Sequence, residues 1–363
     1  MPYRLAIITS HPIQYQVPLF KKISEHPDIC LTVYFRSKKG VEAPYYDTEF
    51  GKEVKWEIPL LEGYSYRFLS GPLGLVRELH ASLYDALMLY GWNSWLNLFA
   101  FALARIRGIR IFMYGESPFC QEAKKRGPLQ IIKRIFLRAL FTGVSAFLYI
   151  GEENRKFYEW LGVPEKKLFY TPYAVDNERW GRGIKNTEHK PTVLFVGKLI
   201  PKKRPFDLIR AFAPLQEAGK LVFVGEGILR NELEEYVRKE GIRNIRFAGL
   251  VNQEALFRLY GEADIFVLPS GMGETWGLVV NEAMNFSLPV IVSDIVGCAS
   301  ALVRHGENGF VYPVGNVEEL QKYLETLLES KDRRESFGKR SKRIVEEFSY
   351  EKDVEGIMQA LSA

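Results

Sequence analysis

The feature that most constrains the fold of this chain is an alternation of short apolar runs with longer amphipathic stretches over most of its length. Parallel strands produce this pattern when helices cover both faces of their sheet, because such strands are apolar on both sides. We therefore predict an α/β fold built from mainly parallel, doubly wound sheets. The predicted strands are residues 5–8, 31–35, 86–90, 109–114, 146–150, 192–196, 221–224, 245–248, 265–268, 290–292 and 310–312.

The length of 363 residues exceeds that of one ordinary domain, and the polar stretch at 181–190 has almost nothing to bury. We predict Rossmann-like domains at 1–183 and 191–349, a linker at 184–190, and a final helix at 350–363 that is expected to pack back on the first domain. Open α/β sheets bind ligands beyond the carboxyl ends of their strands. The expected active site is therefore a cleft between two facing domains. The predicted helices of the second domain include 205–212, 230–240, 253–261 and 278–286.

The composition excludes several classes of protein. With 47% hydrophobic and 26% charged residues, the chain is typical of folded globular proteins rather than disordered ones. Its three cysteines, Cys30, Cys120 and Cys298, include no Cys-x-x-Cys pair. The sequence therefore predicts neither a disulfide framework nor a zinc site, and it indicates a cytoplasmic protein.

One uncharged stretch, from Ala86 to Ala104, approaches the length of a membrane span. A glycine and several polar residues interrupt it. We predict instead a buried strand at 86–90, a turn, and a helix that begins after a Ser94 cap.

The net charge of +5 is unevenly distributed, because residues 1–180 carry an excess of six positive charges and residues 181–363 an excess of one negative charge. From Arg105 to Arg138 there are nine basic residues but only two acidic ones, Glu116 and Glu122. Such a field attracts anionic lipid, polyphosphate or nucleic acid.

Residues 124–140 place apolar side chains at helical spacing with cations between them. Two interpretations remain open: a helix packed on the core with a solvated charged face, or a helix that docks on an anionic membrane leaflet. No motif that reads nucleic-acid bases accompanies the cations, so nucleic acid is not a predicted partner.

The segment from Pro269 to Met284 is the most informative one for function. It follows an apolar strand and opens an apolar helix, and three glycines allow its backbone to approach a ligand. Free amides at the start of such a helix suit a pyrophosphate. Glu274 and Glu282 could then bind two hydroxyl-rich parts of one ligand, for example a sugar and a ribose. The alternative is an ordinary strand-to-helix turn with a capping and a solvated glutamate.

A second segment, residues 196–205, places four cations directly after a predicted strand. These cations are Lys198, Lys202, Lys203 and Arg204. They would neutralise phosphate groups, or they would form a solvated basic loop before a helix that begins with proline.

Together these segments resemble the C-terminal domain of retaining glycosyltransferases of family 4, which have the GT-B fold of two facing Rossmann-like domains with an interdomain cleft. The resemblance covers nearly all of residues 191–349. It is looser in the N-terminal half, where it rests on strand order and on residues 10–15. The motifs that carry it lie at 196–203, 224–227, 247–251, 263–270, 274–282, 289–294 and 306–310.

The resemblance implies a set of donor-binding residues. Lys198 and Lys203 would neutralise the donor diphosphate, with Lys198 standing where arginine is more usual. Glu274 would face the transferred sugar, and these three residues are the implied catalytic groups. The remaining implied contacts are Glu282 with the ribose, Val251 near the base, Gly197, Gly273 and Gly277 in the loops, and the backbone amides of Leu278 and Val279.

The acceptor side carries no comparable motif. His11, Gln14 and Tyr15 follow the first predicted strand, and Glu116 follows another, so all four are candidates near an acceptor. His11 could act as a proton relay, and Glu116 could orient an acceptor hydroxyl. For each of them the alternative is a structural role in capping a helix.

The resemblance implies transfer of a sugar from a nucleoside diphosphate to a hydroxyl acceptor, which is a glycan or a lipid-linked molecule. It also implies that the sugar retains its anomeric configuration and that no protein side chain acts as a nucleophile. The chain contains no Asp-x-Asp motif, so we expect no metal cofactor. Polysaccharide, glycolipid or cell-envelope glycan synthesis is the expected setting, in the cytoplasm or on the inner face of the membrane. A nucleotide-sugar epimerase of the same fold and a non-catalytic sugar-nucleotide or glycan-binding protein are the alternatives.

Overall fold

The structure of the chain is a computed structural model that describes residues 1–41, 45–47, 52–54, 59–80, 82–180 and 190–363. Contacts divide the chain into two compact units. The first comprises Met1–Tyr45, Val54–Tyr173 and Tyr350–Ala363, and the second comprises Tyr46–Glu53 and Ala174–Ser349. The change of unit at residue 174 precedes the predicted linker, which lies outside the described residues except for residue 190.

The first unit is built on a parallel sheet. Along the chain, the strands of this half are β1 (Tyr3–Thr9), β2 (Ile29–Phe35), β3 (Tyr45–Asp47), β4 (Lys52–Val54), β5 (Tyr66–Phe68), β6 (Ala86–Tyr90), β7 (Arg110–Gly115), β8 (Ala146–Tyr149) and β9 (Leu168–Tyr170). Seven of them form one sheet in the order β5-β2-β1-β6-β7-β8-β9, and β3 pairs with β4. The central strands are buried on both sides, as their apolar sequences predict.

Helices connect these strands. They are α1 (Val17–Glu25), α2 (Pro72–Glu78), α3 (Trp95–Ile106), α4 (Phe119–Glu122), α5 (Pro128–Thr142) and α6 (Glu152–Trp160). The uncharged stretch at 86–104 is therefore a strand followed by a helix, as predicted. Ser94 is the residue before α3, but its hydroxyl accepts a hydrogen bond from Arg36 instead of capping the helix. Among the described residues, every helix is too short or too polar to cross a bilayer.

The second unit repeats the same architecture. Its strands are β10 (Thr192–Val196), β11 (Lys220–Val224), β12 (Ile245–Gly249), β13 (Ile265–Leu268), β14 (Val290–Ser293) and β15 (Gly309–Tyr312), in the parallel order β12-β11-β10-β13-β14-β15. Its helices are α7 (Pro205–Phe212), α8 (Arg230–Lys239), α9 (Gln253–Glu262), α10 (Leu278–Asn285), α11 (Ala299–Leu302), α12 (Val317–Glu329) and α13 (Lys331–Val345). The last helix, α14 (Tyr350–Ser362), lies in the first unit against α1, β8 and β9.

The predicted fold class, α/β with two Rossmann-like units, is confirmed. Every predicted strand, and every predicted helix of the second unit, agrees with the structure to within two residues at each end. The strands that the sequence did not predict are three residues long. Of these, β5 and β9 are the outermost strands of their sheet and are only partly buried, so they lack the continuous apolar run of a central strand.

Candidate functional site

The predicted donor-binding segments of the second unit follow β10 and β13, which are neighbours in the sheet. Parallel strands end at the same edge, so the two loops meet there. The amide of Gly271 donates to the carbonyl of Lys202 over 2.7 Å, and the Lys202 ammonium donates to the carbonyl of Gly273 over 3.4 Å. The backbone of one loop therefore holds the other in place.

Lys203 and Glu274 form an ion pair across these loops. Their side chains are only 12% and 11% exposed, so neither is a solvated surface charge. A Cβ placed on Gly197 would lie 3.6 Å from Cε of Lys203, so the lysine stem passes beside the glycine. The structure thus brings together Gly197, Lys203 and Glu274, and the interpretation of 196–205 as a solvated basic loop does not hold for Lys203.

The glycine-rich turn at 225–227 supports the loop that carries Lys198. A Cβ on Gly225, whose φ is +128°, would lie 2.0 Å from the Gly197 carbonyl oxygen. The amide of Leu199 donates to the Glu226 carbonyl over 2.8 Å. Two backbones are therefore in direct contact, which only glycine allows at this distance. Lys198 is half-buried in the supported loop.

Glu282 lies on α10 and is 1% exposed. The Tyr260 hydroxyl, which comes from α9, donates to its Oε2 over 2.8 Å. Glu282 is therefore neither solvated nor a cap, and the alternative of a capping and a solvated glutamate is wrong. Sequence analysis did not find Tyr260, because a single tyrosine in an amphipathic helix carries no functional signal.

The start of α10 has the geometry of an anion site. Gly277 precedes the helix with a φ of +99°, and a Cβ there would lie 2.8 Å from the Leu268 side chain. Leu278 and Val279 are the first residues of the helix, where amides lack acceptors within the helix. Gly273 also has a positive φ, of +96°. Val251 is half-buried after β12, at the same edge of the sheet.

Gly297 is a further structural residue of this site that sequence analysis missed. Its amide donates to the Glu274 carbonyl over 3.1 Å, and the next amide, of Cys298, donates to the Trp276 carbonyl over 3.1 Å. A Cβ on Gly297 would lie 1.7 Å from the Thr275 carbonyl oxygen. The backbone that carries Glu274 is therefore held by a contact that tolerates no side chain.

We expect Gly297→Ala to lower the free energy of unfolding by about 3 kcal/mol, because backbone cannot move aside as a side chain would. The matched control is Gly271→Ala in the same site, where the nearest atom to a Cβ is 3.4 Å away on the flexible Arg204 side chain. Urea unfolding of both variants measures the difference. Equal stability of the two variants would contradict the role assigned to Gly297.

The acceptor candidates lie in the first unit and form two groups. His11 is half-buried, and its Nδ1 is 3.0 Å from the Ser10 hydroxyl. Burial, with Lys39 and Arg36 nearby, lowers the pKa of His11. Helix α1 begins after Gln16, so His11 does not cap it. Gln14 is half-buried in the same turn.

Glu116 and Tyr15 lie close to Tyr173. Burial raises the pKa of Tyr173. Glu116 raises it further through a charge interaction and a hydrogen bond, and so does a charge interaction with Tyr15. Helix α4 begins after Pro118 without a side-chain cap, so Glu116 does not cap it. The rings of Tyr114 and Tyr173 are 6.4 Å apart. Glu116 is thus part of a tyrosine cluster, which sequence analysis did not predict.

No group of three or more His, Cys, Asp or Glu side chains in the described ranges is arranged to hold a metal ion.

A family model described as glycosyl transferases group 1 matches residues 176–344. The second unit belongs to this family. Lys198, Lys203, Glu274 and Glu282 all lie within the matched group 1 glycosyltransferase domain.

Similar proteins include sulfoquinovosyl transferase SQD2 of Arabidopsis thaliana, which is 31% identical over 44% of this chain and 31% of that protein. D-inositol 3-phosphate glycosyltransferase of Nocardia farcinica is 29% identical over 59% of this chain and 51% of that protein. The chain therefore spans about a third to a half of the length of these curated relatives. Anabaena Alr3699/HepE, solved in complex with UDP, has the same fold, with a TM-score of 0.77, 16% identity and full coverage of both chains.

Proposed function

We propose that the protein is a retaining glycosyltransferase that needs no metal and moves a sugar from a nucleoside diphosphate to a hydroxyl acceptor. The Lys203–Glu274 ion pair carries the proposal, because it is shielded from water at the sheet edge of a group 1 glycosyltransferase domain. The names of the two relatives, both sugar transferases, support it. The UDP complex of the structural neighbour supports uridine diphosphate as the leaving nucleotide.

In the proposed reaction, the bond between the anomeric carbon and the diphosphate oxygen breaks, and its electron pair stays on the diphosphate. The acceptor oxygen bonds to the same face of the sugar, and its proton passes to the departing diphosphate. Lys198, Lys203 and the amides of Leu278 and Val279 would stabilise the charge that develops on the leaving group. Groups preorganised around such a charge are usually the largest contribution to catalysis.

The remaining residues would bind and orient the two substrates. Glu274 would face the transferred sugar, Glu282 would accept hydrogen bonds from the ribose hydroxyls, and Val251 would lie near the base. Gly197, Gly273 and Gly277 would let the loops approach the diphosphate. On the acceptor side we propose His11, Gln14, Tyr15 and Glu116, with Glu116 orienting the attacking hydroxyl.

The proposed acceptor is a glycan or a lipid-linked glycan on the cytoplasmic face of a membrane, in the assembly of a polysaccharide, glycolipid or cell-envelope glycan. The excess of positive charge between Arg105 and Arg138 supports a protein that works at an anionic surface.

The experiment that tests the proposal follows UDP release from UDP-sugars in the presence of EDTA, with and without acceptor glycans. We expect release to depend on the acceptor and to survive EDTA, and we expect UDP to raise the melting temperature more than GDP or ADP. A new sugar nucleotide formed without acceptor would identify an epimerase, and stabilisation by UDP without turnover would identify a binding protein. Activity lost to EDTA and restored by magnesium would contradict the metal-free mechanism.

A further inference from the structure

Helix α5 exposes its apolar face. Five large apolar side chains are exposed along it, whereas Leu137 and Phe141 are the buried residues of this helix. The interpretation of residues 124–140 as a helix that packs its apolar face on the core is therefore wrong for most of that face. The exposed side chains are Leu129, Ile131, Ile132, Ile135 and Phe136, which recur every three to four residues and share one side of the helix.

Two of the cations of α5, Lys133 and Arg134, face the opposite way, toward the protein. Lys133 lies 2.7 Å from the carboxylate of buried Glu122 and 5.3 Å from the centroid of the Trp92 ring. The guanidinium of Arg134 stacks 4.2 Å from the centroid of the Trp160 ring. Because ion-pair and cation–π contacts hold the polar side inward, the outward direction of the apolar side is a specified feature of the fold.

Helix α3 extends the same apolar surface. Trp95, Phe99 and Ile106 are exposed along it. The Trp92 ring, just before α3, is 6.4 Å from the Phe136 ring, and a Cβ on Gly143 would lie 2.8 Å from the Phe101 ring.

The topology places the two helices side by side. The strands β6, β7 and β8 are consecutive in the sheet, and right-handed connections between them put α3 and α5 on the same face. The exposed apolar residues of both helices therefore lie on one face of the sheet, and together they are here called the α3–α5 surface. Its members are Trp95, Phe99, Ile106, Leu129, Ile131, Ile132, Ile135 and Phe136.

Exposed cations accompany this apolar surface. They are Arg105 on α3, Lys124, Lys125 and Arg126 before α5, and Arg138 on α5. The acidic residues of this part of the sequence are Glu116 and Glu122, and the Glu122 carboxylate is already paired with Lys125 and Lys133. The surface therefore fits an occupant that is apolar and negatively charged. A second copy of the chain would bring the same cations, and like charges would oppose its binding.

We propose that the α3–α5 surface docks the protein on an anionic lipid bilayer. Helix α5 lies in the plane of the interface, its apolar side chains enter the boundary between headgroups and acyl chains, and the exposed cations that accompany the surface contact lipid phosphates. Amphipathic helices with apolar and basic groups arranged in this way bind to, but do not cross, membranes. The inference goes beyond the proposed transfer reaction, because membrane binding requires neither donor nor turnover.

Flotation of the purified 363-residue chain with vesicles tests this proposal. The vesicles are phosphatidylcholine alone or phosphatidylcholine mixed with phosphatidylglycerol, at low and at high salt. We expect flotation with the anionic vesicles, and we expect it to weaken at high salt.

Substitutions in the α3–α5 surface identify the contact. Ile135→Gln should lower the partition coefficient about fivefold and Ile132→Gln/Ile135→Gln more than tenfold. The matched control is Ile228→Gln in the second unit, since Ile228 and Ile135 are 64% and 63% exposed. Lys124→Ala/Arg126→Ala should lower binding about fivefold for each cation, whereas the exposed pair Lys331→Ala/Arg333→Ala should leave it unchanged.

Three results would overturn the proposal. They are a wild-type chain that floats with neither vesicle, one that floats equally with both at all salt concentrations, and α5 variants that float like the Ile228→Gln control. Light scattering tests the alternative occupant, a second copy of the chain. If the wild type is a dimer that does not bind vesicles, and Ile132→Gln/Ile135→Gln is a monomer, the surface belongs to a second copy. Circular dichroism confirms that each variant is folded.

Discussion

Replacement of Lys203 by alanine is expected to lower the rate of sugar transfer by about 100- to 1,000-fold, the usual effect of removing one preorganised charge-stabilising group. In the proposed reaction the leaving diphosphate gains negative charge as the sugar departs, and Lys203 would stabilise that charge. Its side chain is largely shielded from water, so bulk solvent cannot take over this role. The measurement is kcat for UDP release at saturating UDP-sugar and acceptor.

The matched control is Lys202→Ala, one residue earlier in the same turn. Its ammonium bonds only weakly to the Gly273 carbonyl, over 3.4 Å, and its backbone contact to Gly271 survives the substitution. We expect Lys202→Ala to retain most activity and Lys203→Arg to recover part of it, because arginine keeps the charge but changes its geometry.

Lys203→Ala also leaves the Glu274 carboxylate without its cation in a shielded position. The unfolding midpoint of the variant must therefore be measured together with kcat. A folded Lys203→Ala enzyme with kcat within threefold of the wild type would remove Lys203 from the proposed mechanism.

Local sequence patterns predicted much of the fold because the central strands are buried on both faces. Residues 193–196 and 265–268 are continuous apolar runs, and α7 begins at the proline expected to start it. In such segments, one local signal determines both the type of element and its bounds.

The same patterns could not predict which way a helix faces. The spacing of Ile131 and Ile135 indicates a helix but not the side of it that meets the sheet. That choice depends on two contacts, of Lys133 with Glu122 and of Arg134 with Trp160. Glu122 and Trp160 belong to other elements, α4 and α6. A periodic pattern defines an apolar face, and only tertiary contacts decide whether it is buried.

The candidate site shows the same division. Motif spacing identified Glu274, Glu282 and the basic loop, because strand-to-helix turns place such residues at one edge of a sheet. It missed Tyr260 and Gly297, since each acts through a contact with a residue distant in sequence. The Tyr260 hydroxyl meets Glu282 across two helices, and Gly297 meets the backbone of Thr275.

Replacement of Glu282 by alanine is expected to raise KM for the donor about 10- to 100-fold and to change kcat much less. A hydrogen bond from a ribose hydroxyl to a carboxylate contributes about 1.5–3 kcal/mol to donor binding, which corresponds to about 10- to 100-fold in KM. The ribose is remote from the bond that breaks, so its contacts stabilise the ground state and the transition state alike. Initial rates over a range of UDP-sugar concentrations, with acceptor saturating, separate KM from kcat.

Tyr260→Phe distinguishes positioning from structural support. The Tyr260 ring stacks on Phe286 at 5.4 Å, and phenylalanine keeps this packing while removing the hydroxyl that donates to Glu282. We therefore expect Tyr260→Phe to raise the donor KM about threefold to tenfold in wild-type enzyme and to add little in Glu282→Ala, since the two residues act as one unit. Additive effects on KM, or a fall in kcat alone, would show that Tyr260 does not position Glu282. A donor KM for Glu282→Ala equal to that of the wild type would place the ribose elsewhere.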